Sequence, residues 1–199
     1  PMSTSPTRPP RFARLTTDAM TPRQREVAAE ISAGPRGEVR GPFVALIHHP
    51  ELAARLQALG EFLRFGSVLP PALLELAVLV CARRWTCQHE WYAHERIARK
   101  EGLDEHVIEA IKAGRRPEPM TPAQAAVYDF CSAAHATGRV EDPQFDAIRA
   151  AHGVEGVLEL LALSGYYTLM AMVLNTAGLP LPENAPHPLA PLAPAGARP

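Results

Sequence analysis

The sequence predicts an all-α protein of seven to eight helices, on three observations. Hydrophobic residues make up 47% of the chain, with Ala and Leu foremost and aromatics at only 6%; that bias favours helix over sheet. Apolar residues return at intervals of three and four, as in Leu52, Leu56, Leu59 and Leu63, the stripe of an amphipathic helix. Prolines stand where helices begin, at Thr21-Pro22, His49-Pro50, Pro70-Pro71, Thr121-Pro122 and Pro143. There the missing N–H costs nothing and the fixed φ is already helical. No Asn-Gly hairpin and no alternating apolar run argues for strands.

In chain order, the first helix runs from Pro22 to about Ser32 and breaks at Gly34-Pro35-Arg36-Gly37. The second begins at His49-Pro50 and ends at Gly66-Ser67. The third, from Ala72 to about Trp85, is apolar nearly all round apart from Glu75, which predicts a buried helix. A fourth spans about Cys87 to Lys100, stopped by Gly102, and a short fifth covers Asp104 to Ala113. After a loop from Gly114 to Pro119, the sixth runs to about Thr137, the seventh from Pro143 to His152, and the last from Val154 to Ala177. Glu75-Leu76 and Glu159-Leu160 sit in similar settings in the two halves, a hint of an old duplication. The helical domain is placed at 15–179. Four prolines in residues 1–10 and seven in residues 180–199 make the ends, 1–14 and 180–199, extended arms, either disordered or lying along a neighbouring subunit.

A formal net charge of −1 gives no reason to expect nucleic acid or an anionic membrane as partner. Three cysteines do not form a disulfide framework, and a reducing cytoplasm is the expected compartment. Pro1 before Met2 reads as a cleavage scar, and the first twenty residues lack the apolar segment of a signal peptide. The apolar run near Leu158–Leu174 is interrupted by Glu159, Ser164 and Gly165, and reads as core rather than a span.

The residues that carry chemistry are Glu75, Cys87, Glu90 and His94. The last three stand at i, i+3 and i+7, on one face of a helix. Cys87 falls at the start of that helix, with Thr86 as the expected N-cap, where free N–H groups and the dipole lower a thiol's pKa. Glu75 is the one acid of its helix; burial raises a carboxyl's pKa and demands a partner. Such an acid beside a thiol and an imidazole is the inventory of a proton-transfer site. The competing reading pairs Glu75 with Arg83 or Arg84, leaves Cys87 as a small core residue, and satisfies His94 with a carbonyl. His89-Glu90 with His94 suggests a zinc helix, but the histidines are five apart rather than four, which rotates them away from each other. A metal held by Cys87, Glu90 and His94 stays open on geometry, although no metal is the expectation. Trp85, Trp91 and Tyr92 line a pocket or pack between helices; Tyr166 or Tyr167 is a candidate pocket wall. His48-His49 reads as a helix start.

The run Cys87-Gln88-His89-Glu90-Trp91-Tyr92-Ala93-His94, twelve residues after Glu75, resembles the alkylhydroperoxidase D-like and carboxymuconolactone decarboxylase superfamily. So do Gly41-Pro42-Phe43, His49-Pro50-Glu51-Leu52, Leu69-Pro70 and Ala98 to Gly102. The likeness covers roughly residues 15–180 and implies an AhpD-like helical bundle. Redox members of that superfamily carry a Glu, then Cys-x-His-Cys, then a His four residues later. Here Glu90 replaces the second Cys, so the resemblance carries over Glu75, Cys87, His89 and His94 but not the dithiol. Neither Cys81 nor Cys131 is an obvious resolving partner. The Cys-x-x-Glu form is closer to the decarboxylase-like branch, whose members move protons on small carboxylated or lactone substrates without metal or organic cofactor, although the classical decarboxylases lack the Cys.

The expected function is therefore a lyase or isomerase using cofactor-independent acid–base chemistry on a small carboxylate, lactone or carbonyl compound. Glu75 and His94 would shuttle protons, Cys87 would act as acid, donor or nucleophile, and Glu90 would orient His94 or act as a second base. His89, Trp91 and Tyr166 would meet the substrate. Thiol-dependent peroxide reduction at Cys87 and a non-catalytic binding module are the alternatives. The surplus of apolar helix and the two arms predict a homo-oligomer.

Overall fold

A computed structural model describes residues 10–182, 185–186 and 188–192. Among these residues the secondary structure is all helical. The helices are α1 (Pro22–Ala33), α2 (Phe43–Leu46), α3 (Pro50–Phe65), α4 (Pro71–Arg84), α5 (Gln88–Lys100), α6 (Glu105–Lys112), α7 (Pro122–Thr137) and α8 (Asp142–Ala177). The seventh and eighth helices of the sequence reading are the two arms of α8. They are divided where Gly153 takes φ 71° and ψ −175°, a conformation that costs a residue without Cβ little.

The Pro-initiated starts stand. Thr21 and Thr121 each close a capping box, with Gln24 and Gln124 returning to the cap amide. His49 caps α3 by accepting from the Leu52 amide, so the His48-His49 pair does mark a helix start. The sequence reading has no counterpart for α2, whose four residues are too few to show a period although all are buried.

The core is built around α4, in which every residue from Leu73 to Arg83 is buried. It packs against α5, α6, α7 and α8, while α3 lies beside α1 and α8. By length and hydropathy α8 could cross a bilayer, but its arm after Gly153 is a wall of this core, with Leu160, Leu163, Tyr167 and Met170 buried. Close packing fixes Gly60 of α3. A Cβ there would lie 2.2 Å from the Tyr166 hydroxyl and 2.6 Å from its ring carbon. The buried ring has no room to retreat.

The two acids of the suspected duplication do different work. Glu159 binds the turn before α4, accepting from Ser67 Oγ at 2.5 Å and the Val68 amide at 2.9 Å. Glu75 has a side-chain partner, described below.

The ends correct the expectation for the arms where they are described. The Arg11 amide bonds to Ala177 O at 2.9 Å, and His48 Nε2 meets Ala13 O at 2.9 Å. At the other end Leu189 is buried in the core. Gln88 clamps it, donating to its carbonyl at 2.6 Å and accepting from its amide at 3.1 Å, while Arg83 donates to Ala190 O. Both segments lie along their own chain; residues 1–9 and 193–199 lie outside the described residues.

Candidate active site

A tight turn joins α4 to α5 and sets the register of the site. Cys87 N bonds back to Ala82 O at 2.9 Å, and Thr86 is held at φ 45°. Positive φ is costly for a β-branched residue, and such strain concentrates at functional turns. The expected cap moves by one residue: Cys87, not Thr86, is the N-cap of α5.

The pairing of Glu75 is decisive. His94 Nδ1 and Glu75 Oε2 are 2.7 Å apart, with side chains about nine-tenths buried. With Nδ1 protonated, the imidazole donates to the carboxylate. The Tyr167 and His94 rings meet edge to face, centroids 5.0 Å apart and planes at 89°. Arg83 faces the C-terminal segment instead, so the alternative in which an arginine neutralises Glu75 is not realised. An acid from the buried helix therefore meets the imidazole of the next helix, one half of the expected meeting of acid, thiol and imidazole.

Cys87 departs from expectation. It is fully buried and packs with Ala171 and Leu174 of α8 and with Leu179. The amides of His89 and Glu90 do point at its sulfur, but burial and the nearby Glu90 outweigh them and push the thiol up to about 12. The predicted low pKa is thus reversed: desolvation of the charged form exceeds what the helix N-terminus returns. Glu90 is buried with neither oxygen bonded, and burial holds its pKa well above the ordinary carboxylate value. It does not touch His94 by any hydrogen bond among the described residues, which removes its expected orienting role. The other two thiols are engaged elsewhere: Cys81 lies 3.7 Å from Thr168 Oγ1, and Cys131 accepts from Ser164 Oγ at 3.8 Å.

Beside the Glu75–His94 pair lies a cavity of about 130 Å³. Its walls come from four helices: Arg64 and Phe65 of α3, Leu74, Glu75 and Val78 of α4, Ile97 of α5, and Leu163 and Tyr167 of α8, with Pro71 and Glu101 at its margin. Of the four residues expected to do chemistry, only Glu75 lines it. His94 stands directly behind Glu75, and Cys87 and Glu90 lie away from it.

None of the three expected substrate contacts lines this cavity. Trp91 is fully buried, its indole bonded to Glu95 at 3.0 Å. His89 is half-buried, its Nδ1 without a partner and its pKa lowered by burial. Tyr166 packs over Gly60, its hydroxyl also unpaired, and the adjacent Tyr167 is the wall residue. Sequence reasoning missed Arg64, which carries no periodic or motif signal. Among the described residues no three His, Cys, Asp or Glu side chains are arranged to hold a metal ion.

The chain has the alkylhydroperoxidase AhpD-like helical fold. A crystal structure described as the core of an alkylhydroperoxidase AhpD, an uncharacterised peroxidase-related protein from Ralstonia eutropha JMP134, superposes with a TM-score of 0.70 at 19% identity, covering 87% of this chain and 93% of that one. No protein-family profile and no curated protein matches the sequence.

Proposed function

We propose that the protein is an acid–base enzyme of the AhpD-like fold that isomerises or decarboxylates a small carboxylate, lactone or related carbonyl compound without a cofactor. One observation carries the reading: a buried carboxylate, hydrogen-bonded to an imidazole behind it, forms part of the wall of a largely apolar cavity. A carboxylate held by an imidazole N–H can take a proton from a carbon next to a carbonyl and return it elsewhere. In this scheme Glu75 is the base at the cavity, and His94 holds and supplies the compensating proton through Nδ1. Tyr167 fixes the ring of His94 by its edge-to-face contact. Cys87 and Glu90 belong to the packing behind the site.

The test is proton transfer itself. Candidate unsaturated carboxylates and lactones are incubated with the enzyme in D2O, and deuterium incorporation and product are followed by NMR. Enzyme-dependent exchange at carbon supports the reading; a broad set of such compounds left unexchanged counts against it.

The redox alternative has one feature in its favour, the two amides aimed at the Cys87 sulfur. Against it stand the burial of that sulfur and the engagement of the other thiols. All three cysteines are free and buried. We expect none to react with a thiol reagent under native conditions within hours, and all three to react after unfolding. Rapid labelling of Cys87, or a peroxide-induced sulfenic acid reversed by added thiol, transfers the assignment to the peroxidase reading.

We further propose that copies of the chain associate. α3 exposes Leu52, Leu59, Phe62 and Phe65 along one side, and α8 exposes Val154, Leu158 and Leu161. Val68, half-exposed, is tied by its amide to Glu159 between those α8 residues. Patches of this kind on one surface mark interaction sites. Sedimentation at micromolar concentration is expected to give a multiple of the 21.6 kDa chain mass; Phe62→Lys is expected to lower it. A monomer at every concentration removes the idea.

A further inference from the structure

The cavity carries one charge that no carboxylate among the described residues pairs. Arg64 closes the last turn of α3, half-buried, with its guanidinium over the ring of Phe65 at 5.0 Å. Among the described residues no carboxylate pairs with it. Glu75, on the same cavity, is committed to His94 at 2.7 Å. Glu101, the other acid at the margin, is exposed at the end of α5, where water screens it. The remaining walls are apolar: Leu74, Val78, Leu163 and Phe65. An apolar chamber with a guanidinium on one wall that no described carboxylate pairs, and on another a carboxylate engaged by His94, is complementary to an apolar body bearing one anion.

We propose that Arg64 is the specificity-determining residue of the site and that it binds a carboxylate which the substrate keeps. The inference rests on the acid–base reading for the identity of the opposite end, Glu75, where the reacting carbon would lie. Guanidinium suits this task because it stays charged and presents paired donors to a planar carboxylate. The role also narrows the chemistry. An ion pair stabilises a carboxylate and so opposes its loss as CO2. A group held by Arg64 is therefore a handle, and proton transfer or loss of a second carboxyl takes place at the Glu75 end. The volume sets the size. An enclosed cavity of about 150 Å³ admits benzene; the cavity here, about 130 Å³ and open to solvent on one side, has room for a body of comparable size.

Binding of inert probes tests the proposal without turnover. Benzoate, benzamide and benzylamine share a ring and differ in charge. Isothermal titration and NMR shift mapping of the full chain at neutral pH are expected to show benzoate binding at least tenfold more tightly than either of the others, with shifts centred on Leu74, Val78 and Leu163. Arg64→Met should reduce that preference to about twofold or less, and Arg64→Lys should retain part of it. Arg64 is partly buried at the end of α3 and makes no ion pair with a described residue, so both variants are expected to fold, as circular dichroism will check. Equal affinity for benzoate and benzamide, a preference for benzylamine, a preference that survives Arg64→Met, or no binding of any probe overturns the assignment. Glu75→Gln should keep the benzoate preference. Failure of the acid–base reading therefore appears as unchanged proton exchange in that variant, whereas failure of this one appears as lost charge discrimination.

Discussion

Glu75→Gln is expected to lower the rate of enzyme-dependent proton exchange by about a thousandfold while leaving the helical fold unchanged. General acid–base groups contribute roughly 10² to 10⁴ in rate, and a thousandfold loss is about 4 kcal/mol of transition-state stabilisation. The Gln side chain keeps the shape and can still accept from His94 Nδ1, so the cavity wall survives and only the basic oxygen is lost. His94→Ala should cost at least as much activity, but for two reasons: the proton partner disappears, and Glu75 is left as an unpaired buried carboxylate. Removing one member of a buried pair costs about 3–5 kcal/mol, so a lowered melting temperature should accompany the loss. His94→Asn, which can still donate to Glu75, separates the effects: it should recover stability without recovering exchange. Both single variants exchanging at the wild-type rate, with circular dichroism unchanged, would end the acid–base assignment.

The fold was legible because its signals are local. Pro at the first helical position, stripes such as Leu52–Leu63, and an all-apolar segment around Glu75 each follow from a few neighbouring residues. The Glu75–His94 contact could also be anticipated. A lone acid in a buried helix needs a partner, and the next helix places His94 on the face that returns toward it. What could not be read is the balance between opposing local and tertiary effects at Cys87. Its position at a helix start argues for a thiolate, and two amides are indeed aimed at the sulfur. Whether that wins depends on what covers the sulfur, and Ala171, Leu174 and Leu179 arrive from far along the chain. The cavity was hidden for the same reason. Arg64 lies eleven residues before Glu75, Tyr167 lies ninety-two after it, and only helix packing places them around one space. The choice of Tyr166 over Tyr167 shows how narrow the margin is: adjacent residues on a helix point about 100° apart, and one turns to Gly60 while the other turns to the cavity.

Glu90 provides the second large effect, on stability rather than rate. Its carboxyl is buried with both oxygens unbonded, and burial raises its pKa well above the ordinary value. The folded chain therefore keeps a proton that the unfolded chain releases above about pH 4.3. Since the folded state binds more protons in that interval, stability falls as pH rises, from the ordinary carboxylate pKa up to the raised folded one. Below the interval both states are protonated and the penalty vanishes. The slope reaches about 1.4 kcal/mol per pH unit, or about 3 °C in melting temperature for a chain of this size. Glu90→Gln replaces the acid by a neutral group of the same shape, with two polar atoms equally short of partners, so the comparison isolates the charge. The variant and the parent should melt together near pH 4.5, and the variant should pull ahead as the pH rises from there to neutrality. Melting curves that stay parallel across that range would mean that the Glu90 carboxyl is charged in the folded protein and has found a cation. A proton-bearing Glu90 also explains why the carboxyl can stand beside Cys87 without a counter-ion. A neutral acid and a neutral thiol together form a packing layer, and that leaves the Glu75–His94 pair as the hydrogen-bonded acid–base couple at the cavity.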